Sequence, residues 1–171
     1  MCSGKNKKDN LDPALINEET VQQWLIAAEK GDAKAQYNLA ISYYNGVGIS
    51  RDWSKAMQWF KEAGEQGIVD ALYMLGLMYQ FGKGVVPDVE EAFKWYYKAA
   101  ELGDAESQFR VGNSYCLGRG IEKNAAAAVE WWRKAAEQGH AKARHNLGVA
   151  YHRGEGVPMN KEEAVKWLKK D

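Results

Sequence analysis

Apolar side chains recur along the chain in two alternating helical rhythms. The first is seen in "AKAQYNLAISYYN", residues 33–45, where Ala35, Leu39 and Tyr43 stand four apart and line one stripe of a helix. The second is seen in "WSKAMQWFKEAGE", residues 53–65, where Ala56, Trp59, Phe60 and Ala63 follow the i, i+3, i+4, i+7 pattern of a buried helical face. No run alternates polar and β-branched residues, prolines number three, and alanines are many, so the pattern predicts an all-helical chain. Between the rhythms stands a glycine pair, Gly46 and Gly48. Gly46 can take the left-handed conformation that ends the first helix, and Asp52 can cap the start of the second.

A shift of 36 residues superposes this pattern on itself. Leu39, Leu75, Val111 and Leu147 fall in register, as do Tyr43, Tyr79, Tyr115 and Tyr151, then Trp59, Trp95, Trp131 and Trp167. The tryptophans, at helical spacing, are expected in the core. Small residues also recur: Ala40, Gly76, Gly112 and Gly148 sit where two helices would approach closely. The glycine pair occurs four times, which suits a structural turn and not a single phosphate-binding loop. Asp52, Asp88, Asn124 and Asn160 are the expected N-caps; Asp88 with Glu91 and Asn160 with Glu163 have capping-box spacing.

The expected organisation is a polar, disordered tether over residues 1–16, a capping helix over 17–30, and repeats over 31–66, 67–102, 103–138 and 139–171. In the capping helix Trp24, Ala27 and Ala28 align with Phe60, Ala63 and Gly64, while Ile16 and Val21 are placed to staple around Asn17. Polar Lys169, Lys170 and Asp171 replace the alanines of earlier copies, as expected of a solvent-facing end.

The pattern A-x-x-x-L-[AG]-x-x-Y-x-x-G-x-G-[VI]-x-x-[DN]-x-x-x-A-x-x-W, carried by residues 31–171, resembles the Sel-1-like repeat family, 36-residue relatives of the tetratricopeptide repeat. The resemblance implies a right-handed superhelix of antiparallel helix pairs, with the first helix of each pair lining a concave groove. On that basis the groove would be built in the first unit from Lys34, Tyr37, Asn38, Ile41 and Tyr44, and in the second from Asp70, Tyr73, Leu77 and Gln80. The third would add Glu106, Phe109, Arg110 and Asn113, and the fourth Lys142, His145, Val149 and His152. Tyr37, Tyr73 and Phe109 have two readings, as an aromatic row that grips a ligand or as rings packed between first helices.

Charge adds an exclusion. Lys and Arg total 23 against 23 Asp and Glu, so no net field favours nucleic acid or an anionic membrane. No apolar stretch approaches the roughly 20 residues of a spanning helix. No G-x-S-x-G, S-x-x-K, H-E-x-x-H or Walker-type lysine motif occurs, and no cofactor is expected. His145 and His152 lie seven apart, about 10 Å along a helix axis, too far to share one metal ion. His140 at a turn, like the other two, is expected as an ordinary exposed histidine, and Cys116 as a small half-buried side chain. Cys2 with the polar "SGKNKKDN" after it resembles the mature end of a bacterial lipoprotein, which implies lipidation and a cell-envelope location; the alternative is a cytoplasmic protein.

Together these features predict a non-enzymatic, monomeric scaffold or adaptor that binds a protein or peptide on the concave face. The alternative is binding or hydrolysis of a small molecule or cell-wall compound, β-lactam or glycan. The β-lactam-linked branch of the family carries paired cysteines within its repeats, and these are missing here.

Overall fold

The computed structural model describes residues 16–169, which form nine helices and no strand. They are α1 (Glu18–Glu29), α2 (Ala33–Asn45), α3 (Trp53–Glu65), α4 (Val69–Phe81), α5 (Val89–Glu101), α6 (Ala105–Leu117), α7 (Ala125–Glu137), α8 (Ala141–Arg153) and α9 (Lys161–Leu168). Each packs chiefly on the helix before it and the helix after it, so the chain is an all-α solenoid in which an even-numbered helix is followed by its antiparallel odd-numbered partner.

The turn inside each unit is closed by one recurring bond. The backbone N–H of the N-cap residue donates to a tyrosine carbonyl of the preceding helix: Asp52 to Tyr43 (2.9 Å), Asp88 to Tyr79 (2.9 Å), Asn124 to Tyr115 (2.8 Å) and Asn160 to Tyr151 (2.9 Å). All four side chains cap their helices as expected. The capping boxes form only by half. Asp88 and Asn160 accept from the N–H groups of Glu91 and Glu163, but those glutamates do not reach back, because the cap N–H already has its tyrosine carbonyl. Glu91 and Glu163 pair instead with Lys94 and Lys166.

Both glycines of the turn are left-handed, for different reasons. Gly118 (φ 66°) ends α6, and a Cβ there would meet its nearest neighbour, Lys123 Cβ, at an ordinary 3.4 Å. Gly120 lies against the start of α5 in the previous unit, where a Cβ would fall 2.2 Å from the Val89 carbonyl oxygen. The second glycine therefore sets the fit between units. The helical glycines set the fit within one: a Cβ on Gly76 would strike the Tyr96 ring at 2.4 Å, and one on Gly112 the Trp132 indole at 2.5 Å.

Phe60, Leu39, Leu75, Met78, Val111 and Leu147 are fully enclosed. Trp95, Trp131 and Trp167 are buried as expected, each 9% exposed, whereas Trp59 is only half-buried. A lysine one turn on covers two of these indoles, Lys98 over Trp95 at 4.1 Å and Lys134 over Trp131 at 4.0 Å. In the first unit that place is held by Glu62, whose carboxylate turns to the Gln36 amide, and the indole stays partly open.

Gln36 and Gln66 are joined side chain to side chain at 2.7 Å, and Gln108 and Gln138 at 2.8 Å. The second unit replaces both partners together, by buried Leu72 and exposed Leu102. A glutamine kept alone at the buried place would leave its amide oxygen without the donor that Gln66 or Gln138 supplies.

At the first end, Asn17 caps α1, and Val21 and Ala28 are buried; Ile16 packs on the same core and so belongs to the folded part, not to the tether. The remainder of that segment, with Cys2, lies outside the described residues, as do Lys170 and Asp171. At the other end α9 leaves Val165 and Leu168 nearly half exposed, at the positions where α7 buries Val129 and Trp132.

Candidate functional site

The face built by α2, α4, α6 and α8 carries two successive clefts. The first, about 300 Å³, opens between α4, α5 and α6, with Gln80, Arg110 and Asn113 at polar positions and Val89, Phe93 and Leu117 as apolar walls. The second, about 440 Å³, opens between α6, α7 and α8, among Trp132, His145, Asn146, Val149 and Arg153. Asn113 and Leu117 line both. Seven positions of the first cleft map onto the second by the 36-residue shift, among them Gln80 to Cys116, Tyr96 to Trp132 and Arg110 to Asn146.

Internal hydrogen bonds fix the polar groups. The indole Nε1–H of Trp132 donates to Asn113 Oδ1 at 3.1 Å, and Asn146 Nδ2 donates to the same oxygen at 3.2 Å. An indole N–H can only donate, so the Asn113 amide is held with its oxygen occupied and its NH2 unspent. The Tyr96 hydroxyl donates to Gln80 Oε1 at 2.7 Å. Arg110 donates through Nη2 to the Tyr73 hydroxyl at 2.9 Å, and its Nε lies 3.0 Å from Glu106 Oε1, a close charge pair without hydrogen-bond alignment.

Of the residues expected on this face, Gln80, Arg110, Asn113, His145 and Val149 line the clefts. Ile41 and Tyr44 pack on the first core and Leu77 on the third; Asn38 is half-buried. Lys34, Asp70 and Lys142 stand exposed near the helix starts, and His152 is exposed on α8. The three aromatics lie one position from the cleft-lining row and are packed. Tyr37 leans on Phe60 (5.8 Å between centroids), Tyr73 on Tyr96 (5.8 Å), and Phe109 stacks on His140 (4.6 Å). None lines either cleft. Alanine at Tyr73 or Phe109 would therefore disturb the fold along with any binding.

His140 departs from the expectation of an ordinary exposed histidine. Its side chain is 14% exposed; Nδ1 accepts the Ala143 N–H to cap α8, and Nε2 meets Glu106 Oε2 at 3.0 Å across the unit boundary. The cap requires an unprotonated Nδ1, so Nε2 carries the proton donated to Glu106. Cys116 is half-buried at the wall of the second cleft. No group of three His, Cys, Asp or Glu suited to a metal ion occurs among the described residues.

Sequence reasoning from the even-numbered helices missed Tyr96 and Trp132, which come from the odd ones, and Arg119 and Glu155 from the turns. The available signal was chemical: a tyrosine and a tryptophan at the register position of Phe60 each bring a polar tip that needs a partner when buried.

Burial pushes the Tyr37 hydroxyl up to about 12, and the charge of Asp70 adds to the rise. Burial also raises Tyr96 and Tyr73, against the opposing field of Arg110. Below a pH of about 10 the tyrosine is protonated in both the folded and the unfolded chain, and its contribution is fully present. As pH rises toward about 12 the unfolded chain ionises first and that contribution is lost. Tyr37→Phe is expected to move base-induced unfolding to higher pH, read by far-UV circular dichroism; an unchanged midpoint would contradict it.

The fold and face define a class: a helical-repeat solenoid, with a cleft-bearing surface made from successive even-numbered helices. The Sel1 repeat model matches residues 33–68, 69–104, 105–140 and 141–170, and the chain belongs to the Sel1 repeat family, whose members generally act as protein-interaction scaffolds. A protective antigen of uropathogenic Escherichia coli that displays an SLR fold is 40% identical, with a TM-score of 0.81, over 86% of this chain and 32% of that one. A Sel1 repeat protein from Oxalobacter formigenes is 36% identical, with a TM-score of 0.83, over 89% of this chain and 63% of that one. Helicobacter pylori cysteine rich protein B is 25% identical, with a TM-score of 0.60, over 74% of this chain and 93% of that one. The chain thus spans about a third of the first relative and under two thirds of the second. Comparison with curated proteins gave no match. No helix among the described residues is long and apolar enough to cross a membrane.

Proposed function

We propose that the chain is a non-enzymatic scaffold that holds a protein or peptide segment along the concave face made by α4, α6 and α8. One observation supports this reading above others: two clefts in 36-residue register share a wall at Asn113 and Leu117, so they form consecutive seats for one extended ligand. Such seats exist before the ligand arrives, which limits the freedom lost on association. The remaining groove positions, Lys34, Asp70, Lys142 and His152 among them, would contact the flanks of that ligand, and the chain would work as a monomer.

A photo-crosslinking side chain at Val149 is expected to capture a protein in the native cell, and the same group at exposed Lys61 on α3 is not. Capture only from Lys61 would overturn the assignment of the face. Purified chain incubated with a β-lactam and with muropeptides should give no turnover; reproducible turnover would overturn the non-enzyme reading. We assign the chain to the bacterial cell envelope through a lipid on Cys2, supported by the polar segment that follows it. Fractionation of the same cells, with Cys2→Ser for comparison, tests that: the substitution should release the chain from the membrane fraction.

A further inference from the structure

The first cleft is uneven in hydrogen-bonding character. Its amide oxygens are consumed internally, Gln80 Oε1 by the Tyr96 hydroxyl and Asn113 Oδ1 by both Trp132 and Asn146. Its amide NH2 groups are not, and no bond from Gln80 Nε2 or Asn113 Nδ2 is present among the described residues. Arg110 spends Nη2 on Tyr73, sets Nε beside Glu106 and lies 5.3 Å from the centre of the Tyr96 ring, so its charge sits in the wall of the cleft. Arg119 is exposed on the rim and has no charged partner among the described residues. The opening therefore offers donors and positive charge, with no free carboxylate among its lining side chains. A ligand group suited to it accepts hydrogen bonds, donates none and is negative, which describes a carboxylate.

Building on the peptide-scaffold reading, we infer that the first cleft selects a glutamate side chain of an extended partner segment, and that the second seats an apolar side chain about three residues along. The apolar walls Val89, Phe93 and Leu117 favour glutamate, because its two methylenes cover them while the carboxylate reaches the donors; a terminal carboxylate has no such stem. In the second cleft Arg153 is already paired with Glu155 at 3.8 Å, and Trp132, Val149 and Leu117 give the surface an apolar cast. The spacing follows from helix packing. The Asn146–Asn113 bond links α6 to α8 side chain to side chain, helices in side-chain reach of each other lie about 10 Å apart, and an extended chain covers about 3.3 Å per residue.

The test is selection of a displayed random nonapeptide library on the full chain, followed by affinity measurement with a selected peptide and its Glu→Gln counterpart. Enrichment of glutamate with an apolar residue about three positions away is expected, with about tenfold weaker binding of the glutamine peptide. Asn113→Asp keeps an oxygen for Trp132 and Asn146 but turns the donor into a carboxylate, and Arg119→Glu reverses a rim charge at an exposed site. Each should weaken the glutamate peptide about tenfold and change the glutamine peptide little, and a lysine peptide should recover part of the loss on Arg119→Glu. Both variants are compared by thermal unfolding, so that a folding defect is separated from a binding one. Enriched peptides without an acidic residue would overturn the carboxylate assignment while the peptide-scaffold reading stands. Absence of any enriched peptide would overturn both.

Discussion

Phe60→Ala lowers the unfolding free energy by about 3–5 kcal/mol, the range for removing a buried phenyl ring without refilling its space. Phe60 is fully enclosed, and two tyrosine rings lean on it, Tyr37 at 5.8 Å and Tyr44 at 6.4 Å. Helix α3 cannot close the gap alone, because it is fixed on both sides by α2 and α4. Urea unfolding followed by circular dichroism gives the number directly. A change under about 1 kcal/mol would mean that the first unit repacks freely, which is at odds with a close-packed interior.

Gly120→Ala should cost roughly 2–5 kcal/mol, the sum of a left-handed penalty of about 1–2 and an overpacking penalty of about 1–3. The matched substitution Gly118→Ala should cost only the left-handed part, about 1–2 kcal/mol. Both backbones have nearly the same φ, 66° and 72°, so the difference isolates the approach of Gly120 to the Val89 carbonyl. Thermal or urea unfolding of the pair measures it. Equal losses would mean that the units do not rest on this contact.

Much of the fold could be read from the sequence because its landmarks are chemical necessities. Gly118 must be left-handed, Asn124 must cap, and Val111 must be buried, and each recurs at the same offset in the other units. What escaped reading depends on two side chains that are distant in sequence. His140 caps α8 although histidine is outside the usual capping set, and it can do so because Glu106 takes up its other nitrogen. Ile68 opens α4 with no side-chain cap at all. The half-formed capping boxes followed from a carbonyl nine residues upstream, which spacing within the box does not reveal. The clefts were legible in part: Arg110 and Asn113 were found because the family resemblance turns the first helix of each pair toward the groove, while Arg119 sits in a turn whose orientation depends on the previous unit.

The seat of Gly120 on the Val89 carbonyl makes the chain's length a quantised variable. Inserting one whole period returns every left-handed turn residue to a carbonyl it can touch. An insertion one residue short or long would put a side chain there and throw all later modules out of phase. Growth and loss by complete modules is thus the cheapest change open to this architecture, and each step would lengthen or shorten its row of seats by one.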